Sequence, residues 1–423
     1  MLSIVCIALA AFGVAVLARL SDRSWVSPAP FFALMWAGYL LSLLLFSKLI
    51  DGLVPGMLWI LLSVSAVCAG SMAARPFLTP PVQRDPVPDD AALWVLRWIC
   101  VVALVTGVIN MMALVAARGF SPSGLLQFAI IAQVSAANRA QIYAGDADTS
   151  ILQRLVWIGL FIASAYGAIL FRIAARGWDR VLGFMPMFIA SALYSLFGSR
   201  MGVLYGGSLW IGTYLATHIV LSDPIRGVGI RFLVRLGLGS IVLIVGLSTL
   251  SQVLRYSAGT RALDWQRMLA DPFAFVAAFG IWFNHDGMKF TDLYYGARLF
   301  RRFSEILGVV SEIQPAISVG FTDSNIYTVY RDLIEDFNPV GSTVFLFLMG
   351  LFGRLTFAAA LSGRTRALPW LTLLYAFALT SFSSGLLSYT VPTAALLLFI
   401  GSFRFLPSIV RERSGGSLPA SGQ

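Results

Sequence analysis

The side chains able to do chemistry crowd into one stretch of this chain. Gln252 to Asn338 holds 18 of the 50 charged residues in about a fifth of the length. His285 and Asp286 stand together in the turn-like string Asn284-His285-Asp286-Gly287, directly after the aromatic run Phe273–Phe283. Either could accept a proton from a substrate hydroxyl. Farther on, Asn325, Thr328, Arg331, Asp332 and Glu335 recur at helical spacing and share one polar face, while Ile326, Val329, Tyr330, Leu333, Ile334 and Phe337 share the other. Asp323 or Ser324 is suited to cap this helix, and Asn338-Pro339 to break it. The polar face fits two uses, a surface in water or the lining of a site, and Arg331 with Glu335 is also an ordinary i,i+4 pair. A second amphipathic helix is read from Leu299, Phe303, Ile306, Val310 and Ile313. Its outer face carries Arg298, Arg301, Arg302, Glu305 and Glu312, either as solvated ion pairs or as a contact for a lipid diphosphate.

Metal and disulfide chemistry have little to stand on. No paired Cys or His spacing suggests zinc. Asp146-Ala147-Asp148 matches the Asp-x-Asp pattern of metal-dependent nucleotide-sugar transferases, but no nucleotide-binding domain surrounds it. Cys6, Cys68 and Cys100 all fall inside apolar runs. No metal and no cofactor is expected.

What positions these residues is a membrane. Of 423 residues, 58% are hydrophobic and 12% charged, against about 25% charged in soluble proteins. Mean hydropathy is +0.82. Too little polar side chain is present to coat a soluble globule, which excludes a water-soluble enzyme, a disordered chain and a free nucleic-acid binder despite the net charge of +10. Runs long enough, or nearly so, to cross the roughly 30 Å hydrocarbon layer are Leu2–Leu17, Phe31–Phe46, Leu53–Ala74, Ala92–Ala117, Leu155–Ile173, Val181–Phe197, Met201–Leu221, Leu236–Val253, Val340–Leu361, Leu368–Leu387 and Val391–Leu406. With the N-terminus outside, cytoplasmic segments carry 15 Arg and Lys and the short outer connections 5. The positive-inside rule therefore predicts N-out and C-in. Met1–Leu17 lacks a basic region ahead of it and reads as a retained span. Gly124–Tyr143 is too short in its apolar part to span and is expected to lie in the interface; a crossing there would reverse everything before it. The Pro-rich Arg75–Asp90 reads as a cytoplasmic connector.

The string Asp323-Ser324-Asn325-Ile326-Tyr327-Thr328, then Asp336-Phe337 and Gly341 at the start of a span, resembles the O-antigen polymerase family of bacterial inner-membrane proteins. Their motif is Asn-x-x-Thr or Asn-x-x-Ser, followed by Asp-Phe-Gly-x-x-Gly entering a helix. The Gly198-Ser199-Arg200 turn is similar to a basic turn of that family. The match is specific over about twenty residues. Asn338 stands where the family usually has glycine, and Asn tolerates the left-handed backbone that glycine supplies.

The resemblance implies an all-α polytopic membrane protein with about 11 transmembrane helices, one large helical periplasmic loop and a GT-C-like glycosyltransferase architecture. The parts would be spans one to eight over 1–254, the loop over 255–338, spans nine to eleven over 339–410, and a disordered cytoplasmic tail over 411–423. It implies glycan transfer from an undecaprenyl-diphosphate-linked oligosaccharide to a hydroxyl of a second lipid-linked unit. Partners would be that carrier, membrane lipids and a chain-length regulator, and no nucleic acid. The departing diphosphate needs cations, and the planar fork of arginine suits phosphate. Arg200 and Arg331 are expected to serve the leaving group, and His285, Asp286 or Glu335 the proton. Arg255, Arg261, Asn325, Thr328 and Asp336 are expected to bind substrate. The loop should lie over the outer ends of the spans, with Phe273–Phe283 dipping into the interface. His218, at the cytoplasmic end of its span, is expected to take no part. An O-antigen ligase would share this equipment and differ in its acceptor. A flippase would more often show charges at mid-membrane, where only Arg97 and Arg354 are found.

Overall fold

In lipid a backbone must satisfy its own donors and acceptors, and the helix does so within one segment. The computed structural model is accordingly all-α apart from short two-stranded pieces. It describes residues 1–46, 52–75, 86–144, 150–197, 199, 202–221, 239, 246, 253, 273–287, 293–308, 317–319, 323–324, 327–383, 386–405 and 410–412. Its helices are α1 (Leu2–Asp22), α2 (Pro28–Ser42), α3 (Val54–Ala73), α4 (Asp90–Ala116), α5 (Phe128–Ala144), α6 (Ile151–Ile173), α7 (Gly177–Ser195), α8 (Gly207–Leu221), α9 (Ala274–His285), α10 (Arg301–Ile306), α11 (Val329–Leu361), α12 (Leu368–Thr380) and α13 (Thr390–Ser402). Among the described residues, α1, α3, α4, α6 and α11 are long and apolar enough to cross a membrane. Helices α2, α12 and α13, at 15, 13 and 13 residues, are shorter than a full crossing. The run Leu368–Leu387 is not one helix, since α12 stops at Thr380 and turns follow. The run Leu236–Val253 lies almost wholly outside the described residues.

Small residues let the helices touch. A Cβ added at Gly70 of α3 would stand 1.9 Å from the Phe347 carbonyl of α11, and one at Gly350 would stand 1.9 Å from the Val67 carbonyl. Only glycine permits that approach, the usual device of helix pairs in lipid. Gly167 and Gly183 do the same for α6 and α7.

Polar ties then fix the ends of the bundle. At one end the Asp22 carboxylate, 5% exposed, accepts hydrogen bonds from Ser27 and from Ser71 (2.9 Å), with the Arg354 guanidinium at 3.5 Å. This joins α1, α2, α3 and α11. Arg97 makes a two-pronged pair with Asp179, 2.8 Å in each contact, linking α4 to α7. Both deep arginines therefore have structural partners. Pro86–Pro88 pairs antiparallel with Val410–Glu412, so Arg411 and Glu412, expected in the disordered tail, are part of a strand.

The stretch that could have reversed the topology does not cross. Val115 of α4, Val134 of α5 and Leu196 after α7 pack together, and Trp157 of α6 lies 5.0 Å from Tyr194 and 5.2 Å from Phe197. The C-terminus of α4 and the N-terminus of α6 thus share one end of the bundle. Helix α5 caps that end, its Ser135 and Asn138 side chains donating to the carbonyls of Ser195 (3.0 Å) and Leu196 (2.8 Å).

Candidate functional site

The site is built where α11 begins. Its first nine residues, 329–337, are set off from the rest by Asn338, whose backbone (φ 56°, ψ 174°) lies in a region otherwise kept for glycine. The Asn338 side chain compensates by accepting the Gly341 N–H (2.9 Å), which caps the helix that resumes beyond the kink. Aromatic packing holds the leading segment inside the bundle. Tyr330 lies 4.7 Å from Trp36 of α2 and 6.0 Å from Phe279 of α9, and the Val329 N–H donates to the Ser381 carbonyl (2.9 Å).

The polar face of this segment is buried rather than bathed in water. Thr328, Arg331 and Asp332 are 1%, 6% and 6% exposed. The Arg331 guanidinium sits over the Tyr327 ring (4.0 Å) and the Trp282 ring (4.9 Å), and its Nε pairs with Glu335 at 2.6 Å. Desolvated cation–π contacts of this kind are worth about 2 kcal/mol. Burial raises the Tyr327 phenol above its ordinary value, against the pull of the Arg331 charge, so the ring under the cation stays neutral. Two polar atoms of the cage, Arg331 Nη1 and Thr328 Oγ1, are buried and meet no hydrogen-bond partner among the described residues. Such groups are costly unless water or a ligand answers them.

A loop locks the cage from behind. Arg298, 5% exposed and lying over the Tyr294 ring (4.2 Å), forms an ion pair with the second Glu335 oxygen at 3.0 Å. Asp336 is wholly buried, and its two oxygens accept the N–H groups of Arg298 (2.9 Å) and Leu299 (2.8 Å). The N–H groups of Tyr294 and Tyr295 donate in turn to the carbonyls of Glu335 and Asp336, both 3.1 Å away. The kink would otherwise leave those carbonyls without partners.

No family model, curated protein or solved structure matches this chain. The site must be judged on its own geometry.

Arg331, Glu335, Thr328 and Asp336 come together as one cluster. His285 and Asp286 are exposed at the C-terminus of α9, one turn beyond Trp282, and the Asp286 charge reaches Tyr327. Arg200, Arg255, Arg261 and Asn325 lie outside the described residues. Three members of the site were not expected in it from spacing: Tyr327, Trp282 and Arg298. Asp332 accepts from the Ser388 hydroxyl at 3.2 Å, and the adjoining Tyr389 ring lies 5.1 Å from Tyr205, in a buried π-turn that leads into α8.

Two expectations are corrected. The helix expected to start at Asp323 or Ser324 starts at Val329, because Asp323–Ser324 is extended and pairs with Ile317–Ser318. The amphipathic helix expected through Ile313 is helical over Arg301–Ile306, with Val310 and Ile313 outside the described residues. Its face is split: Arg301 and Glu305 form the expected surface pair at 2.8 Å, while Arg298 is buried against Glu335. The aromatic run forms α9, which packs on α3 with Phe279 wholly buried.

Proposed function

We propose that the protein is a membrane glycosyltransferase that polymerises undecaprenyl-diphosphate-linked oligosaccharide repeat units at the periplasmic face of the inner membrane. The observation that carries this reading is the buried Arg331 cage, with Arg331 Nη1 and Thr328 Oγ1 unanswered by any described residue. Donors held rigid in a dry setting stabilise charge that develops on a leaving diphosphate without reorganising. Glu335 and Arg298 keep the Arg331 fork in place, and Asp336 holds the loop that carries Arg298. Proton removal from the acceptor hydroxyl falls to His285 and Asp286, which face solvent beside the cage where a hydrophilic glycan can reach them. Arg200, Arg255 and Arg261 add cations on the outer side. The architecture proposed with this chemistry has eleven spans in a GT-C-like arrangement, N-out and C-in. That orientation places the Asp22–Arg354 tie on the cytoplasmic side and the Arg331 cage on the periplasmic side.

Polysaccharide ladders from a deletion strain test the assignment. A single repeat unit attached to the final acceptor is the expected product. Lipid-linked polymer that accumulates unattached would identify a ligase, and repeat units trapped in the cytoplasm would identify a flippase.

A further inference from the structure

A cationic cavity lies at the opposite end of the bundle from the Arg331 cage. It measures about 220 Å³ and is lined by Phe171 and Arg172 at the end of α6, Arg180 of α7, and Tyr214 and His218 of α8. Neither arginine meets a carboxylate at ion-pair distance among the described residues, and Asp179, the one acid in the adjoining turn, is taken by Arg97. Arg172 Nε donates to His218 Nδ1 (3.1 Å), which makes that nitrogen an acceptor and puts the imidazole proton on Nε2. Arg180 Nε donates to the Ala174 carbonyl (3.1 Å), leaving both its terminal nitrogens for other partners. One wall is a ladder of rings at helical spacing. Trp210 stacks on Tyr214 (5.5 Å, 3°), Tyr214 stacks on His218 (6.4 Å, 15°), and the Trp210 N–H is anchored on the Gly183 carbonyl (3.0 Å). Beside the cavity Arg176 is exposed and Trp178 is 76% exposed, the pairing of cation and indole found at membrane surfaces.

We propose that this cavity binds the phosphate of an anionic phospholipid headgroup. Two guanidinium groups supply the charge, the neutral His218 imidazole shapes the floor, and exposed Trp178 gives the glycerol and upper acyl region an interfacial neighbour. Basic pockets between membrane helices hold anionic headgroups in this manner. The assignment is independent of the glycan reading, since it concerns the other end of the molecule.

Native mass spectrometry of the purified protein tests it, after delipidation and titration with phosphatidylglycerol or phosphatidylcholine. Wild type is expected to retain phosphatidylglycerol at least about 10-fold more tightly than phosphatidylcholine, and the Arg172→Gln/Arg180→Gln variant to lose that preference. Equal retention of the two lipids by wild type would overturn the proposal, and this comparison needs no variant to fold. Unchanged retention by a folded variant would overturn it too. Full displacement of the lipid by millimolar inorganic phosphate would mean a site for dissolved phosphate and would also refute the headgroup assignment.

Discussion

Arg331→Lys is expected to lower polymer formation by about 100-fold or more, the usual cost of removing one preorganised donor from a developing anion. Lysine keeps the positive charge but loses the fork. The pair with Glu335 at 2.6 Å and the buried Nη1 come from one planar group, and an ammonium cannot supply both positions. Flat stacking over Tyr327 is lost as well. Arg331→Ala should be at least as damaging, but it leaves Glu335 with Arg298 as its remaining cation and can disturb folding. Thr328→Val separates the two effects, because it is nearly isosteric and removes a hydroxyl that meets no described partner. It is expected to leave gel-filtration behaviour unchanged and to cut the rate about 10-fold, the worth of one hydrogen bond made to the substrate. Polymer ladders in a complemented deletion strain and single-turnover rates on purified protein read both variants. Full ladders from Arg331→Lys would refute the electrostatic role.

Asp336→Ala is expected to have the largest structural effect at the site. Two backbone N–H groups donate to this buried carboxylate, and hydrogen bonds to charged groups contribute about 1.5–3 kcal/mol each. Losing both should release 293–300 from α11 and withdraw Arg298 from Glu335. Hydrogen exchange should then rise in 293–308 and stay unchanged in α3 and α6. Activity should fall with it, because the Arg331 fork loses its backing. Unaltered exchange in 293–308 would show that the carboxylate does not hold the loop.

Part of this site was legible from spacing. A period of 3.6 places Thr328, Arg331, Asp332 and Glu335 on one face whatever covers them, and the structure keeps them together. What periodicity cannot give is the identity of the covering surface. That surface comes from Trp282 and from Arg298, dozens of residues away along the chain. The same limit explains why Arg298 reads as a surface charge: its partner Glu335 is not a helical neighbour. The packing of the aromatic run was not legible for a different reason. Eleven apolar residues are too few to cross a bilayer, but a short helix can still be buried when glycines let it close on a neighbour, as Gly280 does against Gly56. The break at Asn338-Pro339 was legible from the proline, and the positive φ of Asn338 is one that asparagine adopts more readily than most residues.

The central claim is that the Arg331 cage receives a lipid diphosphate. A lipid diphosphate carrying a photoreactive group beside its phosphates, cross-linked to the purified protein and mapped by peptide mass spectrometry, tests it most directly. Labels within 282–286 and 327–331, lost on addition of unlabelled lipid diphosphate, are the predicted result. Competable labelling confined to other parts of the chain would contradict it.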